Sequence, residues 1–211
     1  MRYKITKLFS LIIGIEACLV ISGWIWGIDA LTRILPDGIN MKFPTALTFL
    51  FAAVGLYYLT RLTEENYEPS QAILPGISLI IFLMMTALLA TGLTGGQNGL
   101  ESLFVRGQSP STIFGSGMPS IPTTINFILF GLACTLSLFT DSGRYKRLAL
   151  FGYVIFFVGT IAVVGYALNL SFLYYQFTPS SVPIAFNTAL TFVLLGLGLL
   201  FISKNKTRDE A

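Results

Sequence analysis

The sequence predicts an all-α fold: a polytopic membrane helix bundle of six transmembrane helices, built as three parallel-repeated hairpins with both termini on the cytoplasmic side. Three observations predict it. Hydrophobic residues make up 54% of 211 positions and charged residues 11%, with mean hydropathy +0.76, whereas a soluble domain carries roughly 25% charged residues to cover its surface. The apolar residues fall into runs of about 20, the length that crosses a bilayer core. A Thr-bearing phrase recurs at every second run. The balance of 13 Lys+Arg against 10 Asp+Glu is too mild for a nucleic-acid partner; the expected partner is the lipid bilayer.

A single integral membrane domain is expected over 1–211, with spans at about 8–28, 44–62, 71–93, 122–140, 148–170 and 183–203. The first follows a basic start, as a signal peptide does. It runs on through Trp24 and Trp26 without a small-x-small cleavage site, so an uncleaved span is predicted. Pro44, Pro75, Pro122 and Pro183 each suit a first helical turn, where a missing N–H costs nothing, and Ser181 is placed to cap the last span.

With the N-terminus inside, the inner segments hold ten basic residues, from Arg2, Lys4 and Lys7 to Lys204, Lys206 and Arg208, and the outer segments only Arg33, Lys42 and Arg106. The positive-inside rule therefore puts both ends in the cytoplasm of a cell membrane. Trp24, Trp26, Tyr174 and Tyr175 then fall near the outer span ends, as an aromatic belt does.

The repeat aligns Thr45, Thr123 and Thr188, then Thr48, Asn126 and Thr191, then Phe49, Phe127 and Phe192, and four residues on the small Ala53, Gly131 and Gly196. Positions i, i+3 and i+4 share a helix face, so each even-numbered span carries one polar stripe above a place where another helix can approach closely. These faces either pack, with hydroxyls bonded to their own backbone, or converge on a pseudo-threefold axis. In the second case they line an outer pocket toward which three helix N-termini point, favouring an anionic or polar ligand. The copies run parallel, unlike the inverted repeats of many transporters.

The outer loops carry further candidates. Asp29 and Arg33, four apart beside Leu31, Ile34 and Leu35, signal a short amphipathic helix; Glu101 and Arg106 flank Leu103 and Phe104; segment 171–182 has five aromatic or leucine residues and no charge. They are interfacial helices on the outer leaflet or a lid over the pocket.

Glu16 is the single carboxylate deep in a span, a functional candidate by default. With no Lys or Arg inside another span to pair with, it is expected to be protonated or hydrogen-bonded to a Ser, Thr or Asn of a neighbouring helix. Histidine is absent, all lysines lie outside the spans, and Cys18 and Cys134 sit in apolar runs. No metal site, cofactor or catalytic constellation is expected, and so no enzyme.

The stretches Lys42-Phe43-Pro44-Thr45-Ala46-Leu47-Thr48-Phe49, Ile121-Pro122-Thr123-Thr124-Ile125-Asn126-Phe127 and Phe186-Asn187-Thr188-Ala189-Leu190-Thr191-Phe192, the last followed by a Gly-rich apolar run, carry a family likeness; so do residues 27–37 and Gly165-Tyr166-Ala167-Leu168. They resemble the integral-membrane input regions ahead of PAS and histidine-kinase modules in bacterial and archaeal sensors. The resemblance implies a two-component signal-input domain acting on a cytoplasmic signalling partner or through a homodimer. It brings no residue-level ligand site. No phosphoacceptor His is present and no kinase domain follows Ala211, so the chain is expected to be either the membrane portion of a longer protein or a stand-alone relative. The competing expectations are a small-solute or proton transporter or channel, with Glu16 and the Thr48/Asn126/Thr191 ring along its path, and an accessory subunit of a membrane complex.

Overall fold

The computed structural model describes residues 2–35, 38–65, 68–94, 119–139, 143–175 and 182–204, and holds no strand among them. Seven α-helices follow in order: α1 Arg2–Trp26, α2 Asp29–Thr32, α3 Phe43–Glu65, α4 Pro69–Thr94, α5 Ile121–Leu136, α6 Arg144–Ala167 and α7 Phe186–Ser203. A 3-10 turn, Ser171–Tyr174, precedes α7.

Five of them, α1, α3, α4, α6 and α7, are long and apolar enough to cross a membrane. The bundle has an apolar core, but unlike a water-soluble one it buries polar side chains beside that core and turns apolar faces outward. Thr45, Thr48, Thr123, Asn126, Asn187, Thr188 and Thr191 are buried, while Leu8, Leu11, Ile15 and Leu19 of α1, Leu79 and Leu83 of α4, and Leu150, Phe157 and Ile161 of α6 lie exposed. The latter sit at helical spacing along one outward face per helix, a continuous apolar surface that a bilayer covers and water does not. The chain is accordingly a multi-pass membrane protein. α3 and α7 bury two thirds of their most apolar stretch, whereas α1, α4 and α6 bury a third or less, so α3 and α7 are central.

The most extensive helix contacts join α1 to α3, α6 to α7, and α4 to α5. Each pair closes on a small residue. Ser10 of α1 donates to the Ala53 carbonyl of α3 at 2.8 Å, and Ser78 of α4 donates to the Gly131 carbonyl of α5 at 3.0 Å. A Cβ at Gly196 of α7 would come within 2.6 Å of the Phe156 nitrogen of α6, so glycine there is what allows the two backbones to touch. At one end of the bundle Lys7 pairs with Glu64 at 2.5 Å, Tyr3 donates to the Thr63 carbonyl, and Arg147 Nη2 donates to the Leu136 carbonyl at 3.2 Å. The starts of α3, α5 and α7 lie at the other end.

Several boundaries differ from expectation for local reasons. α4 begins at Pro69, so Pro75 lies inside the helix rather than in its first turn, where it leaves the carbonyl of Gln71 without its backbone donor. α7 begins at Phe186 with Ala185 as its N-cap. Pro183 stands before that cap, because the Ile184 N–H bonds the Tyr174 carbonyl at 3.0 Å and holds the strand-like approach; Ser181 lies outside the described residues. α5 is 16 residues long and stops at Leu136, short of the expected 140, where the Ser137 hydroxyl turns back onto the Ala133 carbonyl. α1 ends where Gly27 takes φ +67°, the left-handed conformation in which glycine is unstrained.

The loop helices are single turns. α2 has four residues, and Arg33 is already extended beyond it, so the expected amphipathic helix does not extend over Ile34 and Leu35. The loop folds back on the bundle instead: Trp24 Nε1 donates to the Met41 carbonyl at 2.8 Å, and the Met41 N–H to the Thr32 carbonyl at 2.8 Å. Before α7, Tyr174 stacks on Tyr166 at 4.3 Å, and the Tyr166 hydroxyl donates to the Ile184 carbonyl at 2.7 Å.

Candidate functional site

The aligned positions of α3, α5 and α7 meet in the middle of the bundle. Phe49 and Phe127 have ring centroids 4.7 Å apart, Phe49 and Phe192 4.9 Å, and Phe127 and Phe192 5.1 Å. All three side chains are at most 1% exposed. Phe49 and Phe127 meet edge to face at 67°, an arrangement favourable for aromatic quadrupoles, and the other two pairs are tilted at 57° and 58°. The triangle fills the space among the three helices.

One turn nearer the helix starts, the aligned threonines surround a small opening. Thr45, Thr123 and Thr188, with Asn40, Lys42 and Ser120, line a cavity of about 10 Å³, room for roughly one water. Ser120 caps α5: its Oγ accepts the Thr123 N–H at 3.3 Å and lies 2.8 Å from the Thr123 hydroxyl.

Between the cavity and the phenyl triangle stand Thr48, Asn126 and Thr191, and they fare differently. The Thr48 hydroxyl donates to its own helix, at the Pro44 carbonyl, 2.7 Å away. Both polar atoms of the Asn126 amide are buried without a hydrogen-bond partner among the described residues. Thr191 lies 2.7 Å from the Asn187 carbonyl and, across the helix interface, 2.5 Å from Glu16 Oε2. The expected hydrogen bond between Glu16 and a neighbouring threonine is therefore present, joining α1 to α7. Glu16 Oε1 is buried and has no partner among the described residues.

The loop candidates are not part of this arrangement. Asp29 is exposed at the start of α2 and Arg33 is partly exposed beyond its end; no ion pair joins them. Glu101 and Arg106 lie outside the described residues.

Asn187 was not singled out by sequence, yet its Nδ2 donates to the Thr32 carbonyl at 3.2 Å and ties the first loop to the start of α7. The signal for it was present: Asn187 stands where the other two copies carry Pro44 and Pro122, so it alone can offer a side-chain donor. Ser10 and Ser78 were missed as well, because a serine in an apolar run does not announce a carbonyl on another helix.

No protein-family model, curated protein or solved structure matches the chain.

Proposed function

We propose that the chain is a non-catalytic membrane signal-input domain, with six spans arranged as three parallel hairpins, both termini in the cytoplasm of the cell membrane, and output through a cytoplasmic partner such as a histidine kinase. The observation that supports the reading is the pairing of a closed axis with a hydrogen-bonded carboxyl link between α1 and α7. The Phe49, Phe127 and Phe192 rings fill the space among α3, α5 and α7, which favours transmission of a conformational change over passage of a solute. The link is the contact of Glu16 with Thr191.

A hydroxyl carries one proton. Thr191 has two acceptors within reach, the Asn187 carbonyl and Glu16. Both contacts are satisfied together when Glu16 holds a proton and donates it to Thr191 while Thr191 donates to Asn187. Loss of the Glu16 proton leaves one of them unmade at depth, where such a loss is costly. Because α7 leads from the first loop, through Asn187 and Thr32, to the chain's C-terminal segment, a change in this link shifts two packings of α1 and α7 against each other.

The test uses spin labels at Lys4→Cys and Lys204→Cys, with Cys18 and Cys134 replaced by alanine, in proteoliposomes. The expected result is a label distance that changes as the pH is raised in the wild-type background and stays fixed in Glu16→Gln. Equal distances at all pH values, together with proton flux that Glu16→Gln abolishes, would replace the sensor reading with a transporter.

A further inference from the structure

The cavity at the starts of α3, α5 and α7 holds two hydroxyls that the fold does not use. Elsewhere in the bundle the threonines satisfy themselves: Thr60, Thr135 and Thr160 each donate to the carbonyl four residues back, at 2.7 to 3.1 Å, as Thr48 does. Thr45 and Thr188 make no such bond. They are 2% and 3% exposed, they line the cavity, and neither hydroxyl has a hydrogen-bond partner among the described residues. Both side chains are buried while lining the opening, so a partner for either hydroxyl comes from the cavity, a water or a ligand.

Three further features give that missing partner a sign. α7 is 18 residues long and its N-cap Ala185 offers no side-chain bond, so its first-turn N–H groups are not capped as those of α5 are by Ser120. Ala185 and Thr188 both border the cavity. α3 and α5 start at the same opening, so three helix starts add their partial positive charge. Lys42 stands on the rim. No Asp or Glu is among the described lining residues.

We infer that this opening binds an oxyanion, with one oxygen seated between the Thr45 and Thr188 hydroxyls and the rest of the group outside, beside Lys42. The size decides the mode: about 10 Å³ admits one oxygen and excludes an organic body. A phosphate dissolved in water and the phosphate of a lipid headgroup share this chemistry. The inference stands on the geometry of the opening alone; anion binding without any movement of the C-terminal segment leaves it intact while ending the signal-input reading.

The experiment is a thermal-unfolding titration of the full chain, delipidated in a maltoside detergent. One arm adds inorganic phosphate against chloride at equal ionic strength, and the other adds phosphatidylglycerol against a neutral glycolipid. Saturable stabilisation in the first arm assigns a free anion, and stabilisation confined to the second assigns a headgroup. In either case Thr45→Val and Thr188→Val are expected to weaken binding about tenfold each, and Thr188→Ser to retain it. Should the valine variants fold poorly, Lys42→Gln on the partly exposed rim is expected to weaken binding in the same arm. No anion-specific stabilisation in either arm, or equal stabilisation of the wild type and the folded variants, overturns the inference and leaves the opening to a water only.

Discussion

The Thr191 hydroxyl lies 2.5 Å from the Glu16 carboxyl, across the interface between the first and last long helices. The contact spans 175 residues of sequence and engages the one carboxylate deep in a span. In hydrocarbon a hydrogen bond between helices is worth on average about 0.6 kcal/mol and at most about 1.7 kcal/mol. A double-mutant cycle of Glu16→Leu and Thr191→Val, read by unfolding in mixed micelles, is expected to give a coupling energy within about 0.6–1.7 kcal/mol. Strict additivity would remove the link.

Asn126 gives the opposite expectation. Its amide is buried without a partner among the described residues, so it carries a desolvation cost with no return. Asn126→Leu is expected to raise stability by about 1–3 kcal/mol. A fall in stability in the same unfolding assay would mean that an ordered water or ligand satisfies the amide.

The glycines rank the helix contacts. A Cβ at Gly196 would meet backbone atoms of α6 at 2.6 and 2.7 Å, whereas one at Gly14 would meet only the Ala53 Cβ at an ordinary 3.5 Å. Gly196→Ala is expected to cost about 1–3 kcal/mol through forced separation of α6 and α7. Gly14→Ala is expected to be neutral or slightly stabilising, since alanine favours the helix. Equal melting temperatures for the two variants would contradict the close approach at Gly196.

Asn187 is the position at which the third copy departs from the other two. Asn187→Pro suits the second position of α7 as Pro44 and Pro122 suit theirs, so helix content by circular dichroism should not change. The lost bond to Thr32 is expected to cost about 1 kcal/mol and to speed hydrogen exchange at the Met41 amide, which also bonds Thr32. Unchanged exchange there would show that the loop is held by other contacts.

The helical membrane class was legible from composition and run length, because lipid demands long apolar segments and little else. The meeting of Phe49, Phe127 and Phe192, and of Thr45, Thr123 and Thr188, was legible as an aligned phrase, since i, i+3 and i+4 positions share a face. Helix ends were less so. Pro75 reads as a start, yet tertiary packing carries the helix through it from Pro69; the end of α5 is set by the Ser137 hydroxyl competing for a backbone carbonyl. Within the ring of Thr48, Asn126 and Thr191, equal alignment hid unequal roles. Which hydroxyl reaches Glu16 depends on which helix α1 leans against, and that is a property of the whole bundle.

The most direct test of the central claim is the infrared spectrum of the reconstituted protein at neutral pH, compared with that of Glu16→Gln. The expected spectrum has a protonated-carboxyl carbonyl band that is missing in Glu16→Gln and that shifts to higher frequency in Thr191→Val, where its hydrogen-bond partner is gone. A Glu16 that absorbs as a carboxylate, or a protonated band indifferent to Thr191→Val, would contradict it.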